Sequence, residues 1–270
     1  MITSTSNAKV KRLVNLRKKR RARDAEGVFL TEGLRMFQEV QESELKELYV
    51  TERFYEKEKK LVDEKCRAGR CGIEVFSETV MEYVSDTRHP QGVLCVVRQR
   101  NGDGWEGILE GRKSGKAASC PLILLLDNLQ DPGNLGTIFR TGEAAGVTGI
   151  LMSRDCVDVY NPKVIRSTMG SIFRLPFWYA EDLPAAVREM KAQGICTYAA
   201  RLNGTCVYDE PDYRKPSAFF IGNEGNGLRE DIAEMADCYL KIPMAGSVES
   251  LNAAIAAAVL MFEAVRQRRH

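Results

Sequence analysis

Three loops rich in small and polar residues follow apolar runs in the second half of the chain. They are "NLQDPGNLGTIFRTG" after "LILLLD", "NEGNGL" after "AFFIG", and "MAGSVESLN" after "YLKIP". In an open parallel sheet, ligands bind at the carboxyl ends of the strands, so three such loops in one domain predict one composite site. The chemistry available there is backbone hydrogen bonding, a few carboxylate and carboxamide groups, and the guanidinium of Arg140.

Several other kinds of site are excluded by what the sequence lacks. His89 and His270 are the two histidines, which rules out most designs with a histidine general base. The eight cysteines are scattered without a C-x-x-C pair, so a zinc site is not expected and a reducing compartment would keep them as thiols. The chain has neither the G-x-x-x-x-G-K-[ST] of a P-loop nor an early G-x-G-x-x-G for a dinucleotide.

Each candidate residue also has an ordinary structural interpretation. An arginine such as Arg140 is more often a surface or ion-pair residue, and Glu224 in a glycine-rich turn is more often a charge at a helix start. Asn134 is placed to cap the helix that carries Arg140, while Ser250 or Asn252 would serve as a cap for the last helix. Taken one at a time, these residues do not establish a site.

The last helix has an unusually apolar sequence. From Ala253 to Phe262 no residue is polar, which predicts a helix buried on nearly all sides. The run is too short to span a bilayer, which needs roughly 20 apolar residues, and the N-terminal sequence has no apolar stretch typical of a secretory signal. We therefore expect a cytoplasmic protein with no membrane partner.

The sequence predicts two α/β halves, separated by a stretch in which little regular secondary structure is expected. The first half has short strands at "VFLTEG", "ELYV", "GIEVF" and "GVLCVV", and the second has strands at "LILLLD", "GILM", "ICTYAA", "AFFIG" and "YLKI". Alternation with helices predicts a mostly parallel C-terminal sheet with helices on both faces, preceded by a smaller α/β domain. The glycine-rich stretch 100–119 is the predicted linker, between domains at 1–99 and 120–270.

A basic run near the N-terminus favours a polyanionic partner. Residues 1–100 hold 21 Lys and Arg against 16 Asp and Glu, a net charge of +5, while the remainder carries −3. The run includes Leu13, Val14 and Leu16, which predicts a docked amphipathic helix. A solvated helix face is the ordinary interpretation, and contact with nucleic-acid phosphates is the alternative. Besides Arg17 and Arg23, the run contains the candidate RNA-binding residues Lys9, Lys11, Arg12, Lys18, Lys19, Arg20 and Arg21.

Taken together, the three loops resemble a known family. The segments D-N-x-x-D-P-G-N-x-G-x-x-x-R-T (127–141), G-N-E-G-x-G-L (222–228) and I-P-M-x-G-x-x-x-S-L-N (242–252) resemble, in order, the three signature motifs of the SpoU (TrmH-like) RNA 2′-O-ribose methyltransferases. "NPKVIRSTMGSIFRLP", residues 161–176, is similar to the family segment between the first two motifs. The first hundred residues, with "HPQGVL" near their end, look more loosely like the family's substrate-binding domain.

The resemblance implies a deep trefoil knot in the C-terminal domain, an L30e-like fold for the N-terminal domain, and a homodimer through the knotted domain. It implies RNA as the substrate and S-adenosylmethionine as the cofactor, contacted by Gly222, Ile242 and Leu251. It also implies that Arg140 acts on the ribose 2′-hydroxyl. Because a guanidinium stays protonated in proteins and is a poor free base, we expect Arg140 to hold the target phosphate and hydroxyl. The remaining polar motif positions, which would hold Arg140, the ribose and the loops, are Asn134, Glu224, Ser250 and Asn252.

Four functions remain to be separated. The two-domain layout favours ribosomal RNA as the substrate of a methyltransferase, and transfer RNA is the alternative. A non-catalytic RNA-binding protein that kept the fold is the third possibility, and the intact polar motif positions count against it. A nucleotide-binding oxidoreductase is the fourth, and the sequence lacks the early G-x-G-x-x-G with a downstream acidic residue that this function predicts. Methyl transfer from a sulfonium requires no metal, in agreement with the absent ligand sets.

Overall fold

The structure is a computed structural model that describes residues 1–100, Gly104, Ile108 and 120–269. The chain forms two units: the first holds residues 1–100 and 158–173, and the second holds the described residues between 101 and 157 and those from 174 onward. Within the predicted linker, Ile108 is buried in the hydrophobic core of the second unit. Apart from Arg100, Gly104 and Ile108, the predicted linker lies outside the described residues, as does His270.

A four-stranded sheet forms the centre of the first unit, in the order β1-β4-β2-β3. The strands are β1 (Val28–Glu32), β2 (Leu45–Thr51), β3 (Ile73–Phe76) and β4 (Val93–Arg98). β4 pairs antiparallel with β1 and β2, and β3 pairs parallel with β2. The four strands predicted from the apolar runs of this half are confirmed.

Helices of the first unit supply the rest of its core. They span Ala8–Lys18, Arg20–Glu26, Leu34–Glu39, Glu52–Gly69, Glu78–Val84 and Pro162–Thr168, with a 3-10 turn at Ser171–Phe173. The predicted amphipathic helix is confirmed in Ala8–Lys18: Leu13 and Leu16 are fully buried in a cluster that includes Tyr49 and Phe76. Burying each leucine contributes about 2 kcal/mol, so this basic segment is part of the folded domain.

Residues 158–173 pack with the N-terminal residues, although the predicted boundaries place them in the C-terminal domain. Asp158 forms an ion pair with Arg23, and both side chains are almost fully buried. The Tyr160 ring stacks on Phe29 with 4.7 Å between ring centroids. The Tyr160 hydroxyl donates to the carbonyl of Arg100 and accepts from its N–H, both at 2.9 Å. These ionic and aromatic contacts explain why the segment folds with the first unit.

The second unit is built on a seven-stranded sheet in the order β7-β6-β5-β10-β8-β11-β9. Its strands are β5 (Leu122–Leu126), β6 (Gly149–Ser153), β7 (Phe177–Ala180), β8 (Cys196–Ala200), β9 (Cys206–Val207), β10 (Ser217–Ile221) and β11 (Cys238–Lys241). Neighbouring strands pair in parallel. β5, β6 and β10 are buried along their whole length, as expected for strands covered on both faces. The predicted α/β class and mostly parallel sheet are confirmed.

Four helices with described bounds accompany this sheet: Pro132–Ala144, which we name the motif helix, Leu183–Ala192, Glu230–Ala233, and Ala253–Arg268, which we name the C-terminal helix. The C-terminal helix packs against the motif helix and β10. It buries the face that carries Ala257, Leu260 and Met261, but Ile255 and Phe262 remain 50% and 45% exposed. The prediction of burial on nearly all sides is therefore wrong for a single chain. In the described part of the chain, no helix is long and apolar enough to cross a membrane.

The buried pair of Arg23 and Asp158 yields a stability prediction. Asp158→Ala should lower the free energy of unfolding by about 3 kcal/mol, because it leaves the Arg23 charge buried without its partner. Urea unfolding followed by circular dichroism measures the loss. The matched control is Glu181→Ala, which removes an ion pair with Arg154 whose side chains are 80% and 63% exposed; it should cost no more than about 0.5 kcal/mol. Equal losses in the two variants would contradict the assignment.

Candidate active site

The three predicted loops follow the carboxyl ends of β5, β10 and β11. We name residues 127–131 the first loop, 222–229 the second loop and 242–252 the third loop. Because β5 and β10 are neighbours, the first and second loops begin side by side. The Asp127 N–H donates to the carbonyl of Ile221 at 2.9 Å, and the Asn223 side chain donates to the carbonyl of Asn128 at 2.9 Å.

Glu224 ties the second loop to the first. Its carboxylate accepts from the N–H groups of Gln130 at 3.1 Å and Asp131 at 3.0 Å, and from the side-chain amide of Asn134 at 3.0 Å. Partial burial by itself would raise the pKa of Glu224, but these donors outweigh it and hold the pKa below its usual value. The carboxylate is therefore ionised at neutral pH and fixed in place.

Asn252 joins the third loop to the same network. Its side-chain amide donates to Oδ1 of Asn134 at 2.9 Å, so that Asn134 bridges Asn252 and Glu224. The Asn252 Oδ1 accepts from the N–H groups of Ala254 and Ile255 and thereby caps the C-terminal helix. The predicted capping role of Asn252 is thus confirmed, and the other end of the same carboxamide contacts Asn134. A functional role for Asn252 stays a prediction.

The start of the motif helix differs from the prediction. Asp131, rather than Asn134, is its cap: Oδ1 of Asp131 accepts from the Asn134 N–H at 2.8 Å. Pro132 occupies the first helical position, where its fixed φ favours helix entry and no N–H is needed. Asn134 consequently lies inside the first turn, which frees its side chain for the contact with Glu224.

Asp127 and Arg229 form an ion pair that was not predicted from the sequence. Asp127 directly follows β5 and is fully buried. Its carboxylate accepts from the Arg229 N–H at 3.0 Å, from Nε at 3.2 Å and from Nη2 at 2.6 Å. A buried carboxylate is costly without such partners. The ion pair therefore connects Arg229, at the end of the second loop, to Asp127, directly after β5. The signal available in the sequence was an acid that directly follows a wholly apolar run.

Arg140 and Ser250 are the two predicted catalytic residues that the structure does not connect to this network. Arg140 is exposed on the motif helix, and its side chain forms no hydrogen bond or ion pair with any residue the structure describes. Ser250 is exposed in the third loop and is likewise unbonded within the described ranges. The alternative of Ser250 as a helix cap is wrong, because Asn252 occupies that position. An arginine without a protein partner is available to an anionic ligand.

The third loop has the properties of a backbone that receives a ligand. Residues 243–251 form no hydrogen bond with the described residues of the chain. A Cβ added to Gly246 would meet open space, so the loop leaves room beside this glycine for a ligand to approach the main chain. The predicted cofactor contacts Ile242 and Leu251 are half-buried at the two ends of the loop. Free main-chain donors and acceptors between two apolar side chains suit an adenosyl ligand.

Gly222, the remaining predicted cofactor contact, is required by the second loop itself. A Cβ at this position would lie 2.2 Å from the carbonyl carbon of Gly227 and 2.2 Å from the nitrogen of Leu228. The loop closes there through two hydrogen bonds between the main chains of Asn223 and Gly227, each 2.9 Å. The backbone packing of the loop therefore already requires a glycine at this position, and a cofactor contact at Gly222 stays a prediction.

The basic run of the first unit divides into paired and unpaired side chains. Lys9 pairs with Glu74, Arg12 pairs with both Glu26 and Glu47, and Arg20 pairs with Asp24. Arg23 is buried, which removes it from the surface that the basic run was expected to form. The exposed members whose side chains have no hydrogen-bond or ion-pair partner in the described part of the chain are Lys11, Lys18, Lys19 and Arg21.

Comparison with known protein families gives two matches. Residues 121–262 match the SpoU rRNA Methylase family, and residues 7–95 match the MRM3-like substrate binding domain. The first match covers more than half of the chain and contains the three loops. Among residues that the structure describes, no group of three or more His, Cys, Asp or Glu could hold a metal ion.

Similar proteins extend over nearly the whole chain. The 23S rRNA (guanosine(2553)-2′-O)-methyltransferase RlmP of Bacillus subtilis is 32% identical over 262 residues, which cover 97% of each chain. The crystal structure of an AdoMet-bound rRNA methyltransferase from Sinorhizobium meliloti aligns with a TM-score of 0.85 and 31% identity, over 98% of this chain and 97% of that one. A structure described as concerning 2-OH methylation of C/U34 on tRNA covers 55% of this chain and 96% of that one, with a TM-score of 0.51 and 28% identity. The chain belongs to the SpoU family of RNA methyltransferases.

Proposed function

We propose that this protein transfers a methyl group from S-adenosylmethionine to a ribose 2′-hydroxyl of ribosomal RNA. The observation that carries the proposal is the hydrogen-bonded chain of Glu224, Asn134 and Asn252, which joins the three motif loops at the start of the helix that bears Arg140. The 23S rRNA methyltransferase of Bacillus subtilis supports ribosomal RNA as the substrate class.

The second and third loops are the proposed holders of S-adenosylmethionine, through Gly222, Ile242 and Leu251. The cofactor supplies, when bound, an electrophilic methyl group on a sulfonium. The unbonded main chain of residues 243–251 offers donors and acceptors to a polar ligand, and Gly246 lets that ligand approach closely. The AdoMet in the Sinorhizobium meliloti neighbour supports this assignment.

Arg140 is the proposed contact to the target nucleotide. A guanidinium is a poor proton acceptor but presents a planar fork of donors that suits a phosphate. Arg140 would therefore hold the phosphate and the 2′-hydroxyl, so that a phosphate oxygen polarises the hydroxyl proton. Because no described protein group competes for its donors, Arg140 can direct all of them to RNA.

The network of Asn134, Glu224 and Asn252 has a positioning role in this proposal. It fixes the first turn of the motif helix against the end of the third loop. Holding two reactants in the correct orientation accounts for a large part of the rate acceleration of a bimolecular transfer. The Ser250 hydroxyl, which is exposed and unbonded within the described ranges, is left available to the ribose.

Two alternatives use the same fold. Transfer RNA is the second candidate substrate, but the neighbour described with tRNA covers only 55% of this chain, whereas the rRNA methyltransferase neighbour covers 98%. A non-catalytic RNA-binding protein is the third candidate, and the preserved network of Glu224 counts against it. We further propose a cytoplasmic location and the knotted threading of the C-terminal domain that the family resemblance implies.

A homodimer through the second unit is also part of the proposal. Ile255, Val259 and Phe262 recur on one side of the C-terminal helix at the spacing of a helical stripe, and none of them is buried. An exposed apolar stripe of this kind is typical of a surface that a second subunit covers.

The role of Arg140 yields a prediction that separates catalysis from cofactor binding. Arg140→Ala should slow single-turnover methylation of ribosomal RNA about a hundredfold, since a lost charge-assisted contact of this kind is worth roughly 3 kcal/mol. Affinity for S-adenosylmethionine, measured by calorimetry, should stay nearly unchanged. Arg140→Lys should restore little activity, because an ammonium lacks the planar fork.

The matched control for this experiment is Arg188→Ala, which changes an exposed arginine on the helix Leu183–Ala192. It should methylate at the wild-type rate. An Arg140→Ala protein as active as this control would contradict the assignment to catalysis. Loss of cofactor affinity in Arg140→Ala would instead make Arg140 a structural residue. A wild-type protein that binds no S-adenosylmethionine would overturn the proposed function itself.

The unpaired cations of the first unit yield a second prediction. Replacing Lys18, Lys19 and Arg21 by Gln should weaken RNA binding and reduce the slope of log K against log salt by about two, because three phosphate contacts are lost. The charge-matched control replaces Lys57, Lys59 and Lys60, which are exposed on the helix Glu52–Gly69. If both triple variants change the slope equally, the N-terminal run is a solvated face.

The exposed stripe of the C-terminal helix yields a third prediction. Ile255→Glu combined with Phe262→Glu should convert the dimer to a monomer in sedimentation velocity at micromolar concentration, because two charges would be desolvated in the interface. Leu202→Glu, at an exposed apolar residue elsewhere in the same unit, is the control and should leave the dimer intact. A wild-type protein that sediments as a monomer would refute the interface.

A further inference from the structure

The end of the helix Glu52–Gly69 brings two cysteines together. Arg70 follows the helix in the left-handed conformation, with φ 54° and ψ 33°, and turns the chain back so that the Cys71 N–H donates to the carbonyl of Cys66 at 3.1 Å. The two sulfur atoms lie 3.0 Å apart. Both cysteines are free thiols, and neither belongs to the three loops of the candidate active site.

The two thiols differ in accessibility and in acidity. Cys66 is 5% exposed, whereas Cys71 is half-buried at the surface. The hydrogen bond between the two thiols lowers the pKa of Cys71, against the opposing effect of burial. The same hydrogen bond, with burial, raises the pKa of Cys66. An accessible thiol of lowered pKa beside a second thiol is the arrangement found in redox-reactive cysteine pairs.

We propose that Cys66 and Cys71 are a modification site that a peroxide converts to a reversible disulfide. The Cys71 thiolate sulfur attacks one peroxide oxygen, the O–O bond breaks, and Cys71 becomes a sulfenic acid while the other oxygen leaves as hydroxide. The Cys66 sulfur then attacks the sulfenic sulfur, the S–S bond forms, and hydroxide leaves with the Cys66 proton as water. Two thiols are oxidised, one peroxide is reduced, and two water molecules are produced.

The pair of Cys66 and Cys71 is favoured because its sulfur atoms are 3.0 Å apart and its accessible thiol has a lowered pKa. Cys206 and Cys238 are also hydrogen-bonded, but the pKa of Cys238 is raised, chiefly by burial. The sulfenic acid formed on Cys71 has its resolving thiol in contact, so the second step competes with further oxidation. Cys95 and Cys156 are buried, and burial raises the pKa of each thiol, which removes them as first targets. A bridge between residues 66 and 71 closes the turn that leads from the helix into β3.

Trypsin provides a direct test on the wild-type protein. Cleavage after Lys65, Arg67, Arg70 and Arg88 puts Cys66 in the peptide 66–67 and Cys71 in the peptide 71–88, with no other cysteine in either. After treatment with hydrogen peroxide and alkylation of the remaining thiols, these two peptides should appear as one disulfide-linked species. Two of the eight thiols should be lost and should return on treatment with dithiothreitol.

Cysteine variants distinguish the two roles. Cys66→Ser should trap Cys71 as a sulfenic acid that reacts with dimedone, and Cys71→Ser should leave Cys66 fully alkylated. Cys120→Ser, at a half-buried thiol in the second unit, is the matched control and should retain the linked peptide. Free alkylation of Cys66 and Cys71 after peroxide has oxidised other cysteines would overturn the proposal, as would oxidation of Cys66 at the wild-type rate in Cys71→Ser.

Discussion

The carboxylate of Glu224 is the group on which the arrangement of the site depends. It accepts hydrogen bonds from the end of the first loop and from Asn134 in the first turn of the motif helix. Asn134 in turn accepts a hydrogen bond from Asn252 in the third loop. Because these donors lower the pKa of Glu224 in the folded protein, their stabilisation is complete above the unfolded-state pKa and is lost as the pH falls through the folded-state value. At neutral pH, one ionised side chain thus keeps three separate loops in register.

The charges at this edge of the sheet are distributed unevenly. Asp127 is satisfied by Arg229 and Glu224 by its three donors, so both acids are committed to holding the protein together. Arg140 has no described partner. Acids that are already neutralised and a cation that is left free favour the approach of an anionic substrate, as the contact proposed for Arg140 requires.

A similar division applies to the first unit, where a run of basic residues serves two purposes. Arg12 forms ion pairs with Glu26 and Glu47 that connect elements within the first unit. Arg23 forms an ion pair with Asp158 that holds the segment 158–173 to the same unit. Lys18, Lys19 and Arg21 remain exposed. Neither the solvated-face interpretation nor the phosphate-binding interpretation therefore applies to the whole run. The surface that could meet RNA is smaller and more localised than the sequence suggests.

The sequence by itself determined the α/β class, the position of the three loops and most of the strands, because apolar periodicity and glycine-rich turns are local signals. The short strands β7 and β9 were not predicted. The sequence also identified Asn134, Glu224 and Asn252 as candidates through their motif positions. Tertiary structure alone decided their bonding partners, since Asn134 meets Glu224 and Asn252 across about ninety and more intervening residues. It also decided the ion pair of Asp127 with Arg229, the exposed side of the C-terminal helix, and the packing of residues 158–173 with the N-terminal residues. A sequence pattern reports whether a side chain prefers burial or solvent, but the identity of its neighbour depends on how distant segments pack.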